Sequence, residues 1–384
     1  MIDRVSAFLK EFELDLLRSR IAIIKLQYLY YKNDSIYEQI RQRLQDKGKN
    51  LAESLKKIYI LANSQKEIAE LVSQVHDHGT AKMRVRATLY QAYHHGLHNR
   101  LSETRDLLQK THMSQVIGVQ ITDNQILYNR ALTQAGMAAF RLGDVQQSHE
   151  ILVEIYQNLR FKELLGQGFS RQQDKTQEFE IEEKRRQIPH HMQINLQTLE
   201  SFHFITSMLI ETPLFAENQH SMNKQVVSKS YRKLIEYYDQ KAFVLAAEQP
   251  RDHIVFAARA LNKSDWRTAI KHIFSITALT KIPEFTNGEL EATLTKAFKV
   301  SAMTSYIFMS AKQYKSFSFE SLSSIFELEE KVVKKTVSLL ILNNRLQGNI
   351  DRATNLLVID KENSDIKQLQ QLSLQYVSQI QSLV

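Results

Sequence analysis

Residues 126–155 read ILYNRALTQAGMAAFRLGDVQQSHEILVEI, and this stretch decides the fold. Up to position 140 the apolar and small residues recur at three- and four-residue steps: Ile126, Leu127, Ala131, Ala135, Ala138, Ala139 and Phe140. That spacing gathers them on one side of an α-helix. Leu142-Gly143-Asp144 interrupts the period with a turn. Asp144 is a good N-cap, and Gln147, three residues on, is placed to close a capping box. Val145, Ile151, Leu152 and Ile155 then resume the helical spacing on a second arm.

The design recurs. Ile254, Ala257, Ala258 and Leu261 lead into a turn at Lys263-Ser264-Asp265, and Trp266, Ala269, Ile270 and Ile273 follow. A hairpin is also expected between residues 82 and 112, from helices over 85–97 and 102–108. Small residues on one arm, a Gly/Asp turn and larger apolar residues on the other describe a tetratricopeptide-like unit. Such a unit cannot bury its apolar face alone, so neighbours stack into a right-handed solenoid. The copies are degenerate and unevenly spaced.

Toward the N-terminus, Val5, Phe8, Leu9, Phe12, Leu16, Ile23, Leu26 and Leu29 form one helical segment, broken at Asn33-Asp34-Ser35. Helices are then expected through residues 36–44, 51–61 and 68–75. Toward the C-terminus the character changes. A long helix over residues 290–309 precedes Phe317, Phe319 and Leu322, which open a short helix with Ser318 as cap. Residues 329–342 form another helix. Two β-like runs follow, 345–350 and 355–359. Helix, helix, strand, strand is a winged helix. A final amphipathic helix over residues 366–383 needs a partner to bury its stripe.

The expected organisation is therefore all-α: a TPR-like helical region over residues 1–170, a charged connector over 171–190, further helices over 191–310, the winged helix over 311–360 and a terminal helix over 361–384. Composition agrees, with only 10 Gly and 4 Pro in 384 residues, too few for a loop-rich or all-β fold. There are no cysteines, which removes disulfides and thiolate metal sites. No apolar run is long enough to span a bilayer, and no secretory leader is read at the N-terminus. The net charge is +8, and residues 1–122 hold 19 Lys/Arg against 13 Asp/Glu. That excess reads as a solvated face that favours approach to polyanions.

Chemistry-bearing motifs are scarce. His94 and His98 share a helix face, with His95 adjacent, but the Glu and third ligand of a zinc-protease helix are missing. They read as packing residues, and no metal is expected. No Gly-rich phosphate loop, nucleophile elbow or Cys nucleophile exists, so no catalytic residue, cofactor or small-molecule substrate is assigned. Lys331, Lys334 and Lys335 on the second helix of the winged helix are offset by Glu327, Glu329 and Glu330, which favours protein contact over duplex binding. The open edge of the small sheet suits pairing with another chain's sheet. Lys184, Arg185 and Arg186 form a basic triplet among Glu178, Glu180, Glu182 and Glu183, read as a solvated face with RNA contact as the alternative.

TPR-like helices leading into a winged helix and a terminal helix is the architecture of PCI proteins. Several strings then resemble one family within it: Tyr93-His94-His95-Gly96-Leu97-His98, Gln125-Ile126-Leu127-Tyr128-Asn129-Arg130, Lys162-Glu163-Leu164-Leu165-Gly166-Gln167-Gly168, Arg185-Arg186-Gln187 with Pro189 and His191, Arg251-Asp252-His253-Ile254-Val255, and Asp265-Trp266. In order and spacing, from about residue 81 to 351, they resemble the C-subunit family of eukaryotic translation initiation factor 3. Three positions depart from its pattern: Gly96 for Ala, Gln193 for His and Ser264 for Gly. The family's long charged N-terminal region recruits small initiation factors; this chain starts close to the helical body, so the resemblance does not extend to that activity.

The resemblance implies a cytoplasmic, non-catalytic scaffold that joins other initiation factor 3 subunits, pairs with the factor's a-subunit through PCI edges, and docks on the RNA and proteins of the small ribosomal subunit. It implies a part in preinitiation complex formation and mRNA recruitment, with no membrane partner. The residues expected at the sheet edge are Leu346, Gly348, Ile350, Leu357 and Ile359. Those expected in a helical bundle are Leu369, Leu372, Tyr376 and Ile380. Two other readings of the fold are a winged-helix regulator that binds nucleic acid and a PCI scaffold of a proteasome-lid or signalosome assembly.

Overall fold

The computed structural model describes residues 2–34, 64–157, 161–169, 176–217, 228–240, 247–311, 313–351, 354–359 and 373. The chain forms two compact units, Met1–Leu199 and Glu200–Val384. Among the described residues no helix is long and apolar enough to cross a membrane.

In the first unit, the N-terminal period that reads as one segment is two helices, α1 (Ile2–Glu11) and α2 (Asp15–Leu29). Glu13 adopts a left-handed φ of 53°, which an α-helix does not accommodate, so the run breaks there. The segments expected over 36–44 and 51–61 lie outside the described residues. α3 (Ser64–His78) packs on α2 and buries Ile68, Val72 and Val75. α4 (Ala81–Leu97) contacts α2, α3 and α5 (Leu101–Lys110), and turns into α5 through Asn99 at φ 60°.

The deciding hairpin is α6 (Thr122–Arg141) and α7 (Val145–Gln157). Gly143 takes φ 81°, and Asp144 Oδ1 accepts the Gln147 N–H at 3.0 Å, as an N-cap should. Gln147 does not complete the box; its Oε1 accepts from Arg105 at 3.4 Å. Gly136 lets α7 approach bare backbone: a Cβ there would lie 2.7 Å from Leu152 Cδ2. Ser148 Oγ uses the opening to donate to the Gly136 carbonyl at 2.9 Å. The charged segment contains α8 (Gln177–Arg186), after which the chain returns to the same unit. Ile188 N–H donates to Gly166 O, and Gln187 Nε2 to Gly168 O, both at 3.0 Å.

The boundary between the units falls within α9 (Leu196–Glu217). In the second unit, α10 (Lys229–Gln240) precedes α11 (Pro250–Asn262) and α12 (Trp266–Phe274), and this hairpin packs against α13 (Glu289–Ser310). α11 starts with Pro at its first turn and a capping box between Gln249 and Asp252. The winged helix then runs β1 (Ser316–Ser318), α14 (Phe319–Phe326), α15 (Glu330–Leu342), β2 (Gly348–Asp351) and β3 (Leu356–Ile359). The sheet is antiparallel in the order β1-β3-β2, with Phe317 and Ile350 flanking Leu357. Strand β1 is too short for its alternation to be read from sequence. Ser318 ends it and also stands at the N-cap of α14 with extended backbone, but makes no side-chain cap bond.

Candidate functional site

The expected sheet edge is only partly an edge. Leu357 and Ile359 lie on β3, the central strand, whose two sides are taken by β1 and β2. They have no free backbone to offer a partner, which corrects their assignment. Leu346 precedes β2, is buried at 5% exposure, and donates its N–H to Leu340 O at 3.2 Å. It is a core residue. Gly348 and Ile350 do lie on β2, which has one neighbour in the sheet. Gly348 is required there, because a Cβ would stand 2.6 Å from the Val358 carbonyl oxygen. Among the described residues, the open sides of the sheet are therefore the outer sides of β2 and β1. The same unit exposes Leu339, Leu342 and Val358. Lys334 pairs with Glu330 at 2.8 Å and lies over the Phe319 ring, so α15 does not present a one-signed face. Leu369, Leu372, Tyr376 and Ile380 lie outside the described residues.

The basic triplet ends α8, where Lys184 and Arg185 are exposed and Arg186 pairs with Glu182 at 3.0 Å. Arg185 and Arg186, but not Lys184, line a cavity of about 450 Å³ in the first unit. Its wall also contains Tyr28 from the last turn of α2, Tyr30 and Tyr31 just after it, Arg86 and Tyr90 from α4, Asp123 and Arg130 from α6, and His191. Arg130 is 2% exposed. It donates to the Tyr30 hydroxyl at 2.8 Å and to the Met192 carbonyl, and its guanidinium lies 5.3 Å from the Tyr93 ring centroid. Its Nε has no hydrogen-bond partner among the described residues. Burial, opposed by the nearby Arg130 charge, pushes the Tyr30 hydroxyl far above its ordinary range, so it stays neutral. Arg86 Nε donates to the Tyr90 hydroxyl at 3.1 Å. Tyr31 meets the His191 ring edge-on at 5.6 Å.

Sequence reading missed Arg86, Arg130 and the tyrosines. Arg130 did leave a signal, because it occupies the buried face of α6 between Leu127 and Ala131. A charge at that register is anomalous unless something meets it.

The histidines gain a neighbour that sequence could not supply. Asp34, His94 and His98 bring one ligand atom each within 4.8 Å of one another. Hydrogen bonds account for those atoms in one consistent proton assignment. His98 Nδ1–H donates to His94 O at 2.9 Å, which leaves Nε2 to accept Asp34 N–H at 3.2 Å. Ser64 Oγ–H donates to Asp34 Oδ2 at 2.7 Å, so its oxygen accepts from His94 Nε2 at 3.0 Å. Burial first, and His98 second, lower the His94 pKa to about 3, so it is uncharged. In the second unit, His203 Nε2 lies 3.3 Å from Ser228 Oγ, and Glu211 Oε1 accepts Ser228 N–H at 2.9 Å. Burial raises Glu211 to about 7. All three side chains are at most 1% exposed, and the half-buried Ser230 Oγ lies nearer still to His203 Nε2, at 2.7 Å.

Residues 1–222 match the family described as eukaryotic translation initiation factor 3 subunit 8 N-terminus, and residues 281–361 match the PCI domain. The C-subunit of eukaryotic translation initiation factor 3 from Bombyx mori is 31% identical over 371 residues, covering 95% of this chain and 40% of the relative. The protein of the same name from Neurospora crassa is 33% identical over 375 residues, covering 95% and 42%. The chain thus spans about two fifths of the length of these curated relatives.

Proposed function

The chain belongs to the C-subunit family of eukaryotic translation initiation factor 3, and from that premise we propose that it is a non-catalytic scaffold within that factor. In this reading it joins other PCI proteins, the factor's a-subunit foremost, and docks in the cytoplasm on the small ribosomal subunit, promoting preinitiation complex formation and mRNA recruitment. The observation that carries it is the sheet order β1-β3-β2, which among the described residues leaves β2 with a neighbour on one side only. An edge strand satisfies its remaining backbone groups by adding a strand from another chain. Leu342 on α15, 75% exposed, supplies apolar area in the same unit. The terminal stripe of Leu369, Leu372, Tyr376 and Ile380 would bundle with helices of other subunits.

The test is co-purification of the tagged chain with initiation factor 3 subunits, followed by co-sedimentation with the small ribosomal subunit. Ile350→Pro on β2 removes a backbone donor on the side away from β3, and Leu342→Asp charges the exposed patch; both are expected to reduce recovery of the a-subunit by at least about tenfold. Leu372→Asp with Ile380→Asp should release the remaining subunits. Undiminished recovery with all of these variants would defeat the sheet-edge and bundle assignments. Sedimentation with proteasomes or signalosomes alone would defeat the scaffold assignment itself.

A further inference from the structure

We propose that the cavity around Arg130 is a binding site for single-stranded RNA, holding a backbone phosphate on its guanidinium groups and a base against its exposed rings. This goes beyond the scaffold reading and would stand if that reading fell, because every residue it uses lies in the first unit.

The case starts from Arg130. A guanidinium is always charged, and burying one without a counter-charge is costly. Arg130 is 2% exposed and has no ion pair among the described residues. Its polar contacts are a tyrosine hydroxyl and a backbone carbonyl, and its Nε is unpartnered. Those neutral groups offset part of the desolvation and none of the charge. The side chain lines a cavity of about 450 Å³, large enough for an anionic group and its neighbours. Arg86, Arg185 and Arg186 line the same wall, and Asp123 is the single carboxylate there among the described residues. Arg186 is already engaged by Glu182, so Arg86, Arg130 and Arg185 stand against the one carboxylate of Asp123, and two positive charges remain to be neutralised.

The rings decide between RNA and an acidic peptide. Tyr28 is 59% exposed and lines the cavity beside these arginines, and Tyr31 and His191 meet edge-on in its wall. An acidic peptide would use the cations and leave those faces idle. A single strand uses both, since phosphates pair with arginine while unstacked bases lie on aromatic planes. Every base has a π-face to stack, so the site tolerates any base identity.

The full chain and a fluorescein-labelled uridine decamer test this by anisotropy over a series of salt concentrations. Arg185→Gln and Tyr28→Ala alter exposed side chains, and circular dichroism verifies that each variant folds. Each is expected to weaken binding by about tenfold, and Arg185→Gln is expected to reduce the slope of log affinity against log salt by about 0.7. Lys335→Gln on the winged helix is the control and should leave affinity unchanged. Absence of binding by the wild-type chain overturns the proposal. So does equal weakening by Lys335→Gln, which would mean diffuse charge attraction. Displacement of the decamer by polyglutamate at equal charge concentration would overturn it in favour of an acidic peptide.

Discussion

The hairpin of α6 and α7 and the hairpin of α11 and α12 turn through the same hydrogen bonds with different residues. Gly143 N–H donates to Phe140 O and Ser264 N–H to Leu261 O, each at 2.9 Å. Asp144 N–H reaches Ala139 O at 2.9 Å, and Asp265 N–H reaches Ala260 O at 3.0 Å. Each Asp then caps the next helix, at 3.0 Å to Gln147 N–H and 3.2 Å to Thr268 N–H. One turn takes φ 81° with glycine; the other takes φ 62° with serine, whose Cβ is strained there. Counted from the turn, Gly136 of the first hairpin corresponds to Ala257 of the second, and Leu152 to Ile273. The backbone plan is shared, then, while the side-chain interlock is not. In the first hairpin a leucine presses on bare backbone; in the second the corresponding position carries alanine.

The largest break in the comparison should come from the interlock. Leu152 and Ile273 are both fully buried. Leu152→Ala should cost about 4 kcal/mol, because glycine backbone opposite cannot close the void, and Ile273→Ala about 3 kcal/mol, because the Ala257 methyl limits it. Urea unfolding followed by circular dichroism measures both. The single tryptophan, Trp266, reports separately on the second hairpin. Equal losses would mean that the Gly136 contact does not distinguish the two.

Exchanging the turn residues should have a smaller effect. Gly143→Ser should lose about 1 kcal/mol, the usual cost of a side chain in the left-handed region. Ser264→Gly should gain about 0.5 kcal/mol, since glycine removes that strain but adds chain entropy to the unfolded state. Urea midpoints that do not move in opposite directions would show that the turns are not equivalent.

These contrasts also mark what sequence made legible. Both hairpins, their turns and the Asp144 cap were readable, because helical period and cap residues are local signals. The break at Glu13 was not, since a charged residue at positive φ gives no compositional cue. Strand β1 was missed because three residues cannot display an alternation, and without it β3 looked like an edge. That omission is why Leu357 and Ile359 were placed where a partner would dock. The cavity around Arg130 needed contacts between residues a hundred positions apart, as in the bond between Arg130 and Tyr30. Only the register anomaly of Arg130 hinted at it.

The smallest effect separates the two caps by charge. The Thr268 hydroxyl and then the Thr268 N–H hold Asp265 below the usual carboxylate range. A depressed folded-state pKa contributes stability that is complete above the unfolded value, about 3.9, and is lost as pH falls through the folded value. Asparagine caps a helix about as well as aspartate but does not titrate. Asp265→Asn should therefore leave the midpoint at neutral pH nearly unchanged and flatten the Trp266-monitored loss of stability on the acid side, below pH of about 4. If the acid limb is as steep in Asp265→Asn as in the parent chain, the protons that destabilise this hairpin bind elsewhere. Asp252 is then the next group to exchange, because its carboxylate accepts the Tyr238 hydroxyl and the Gln249 N–H and is also held low against the opposing effect of burial.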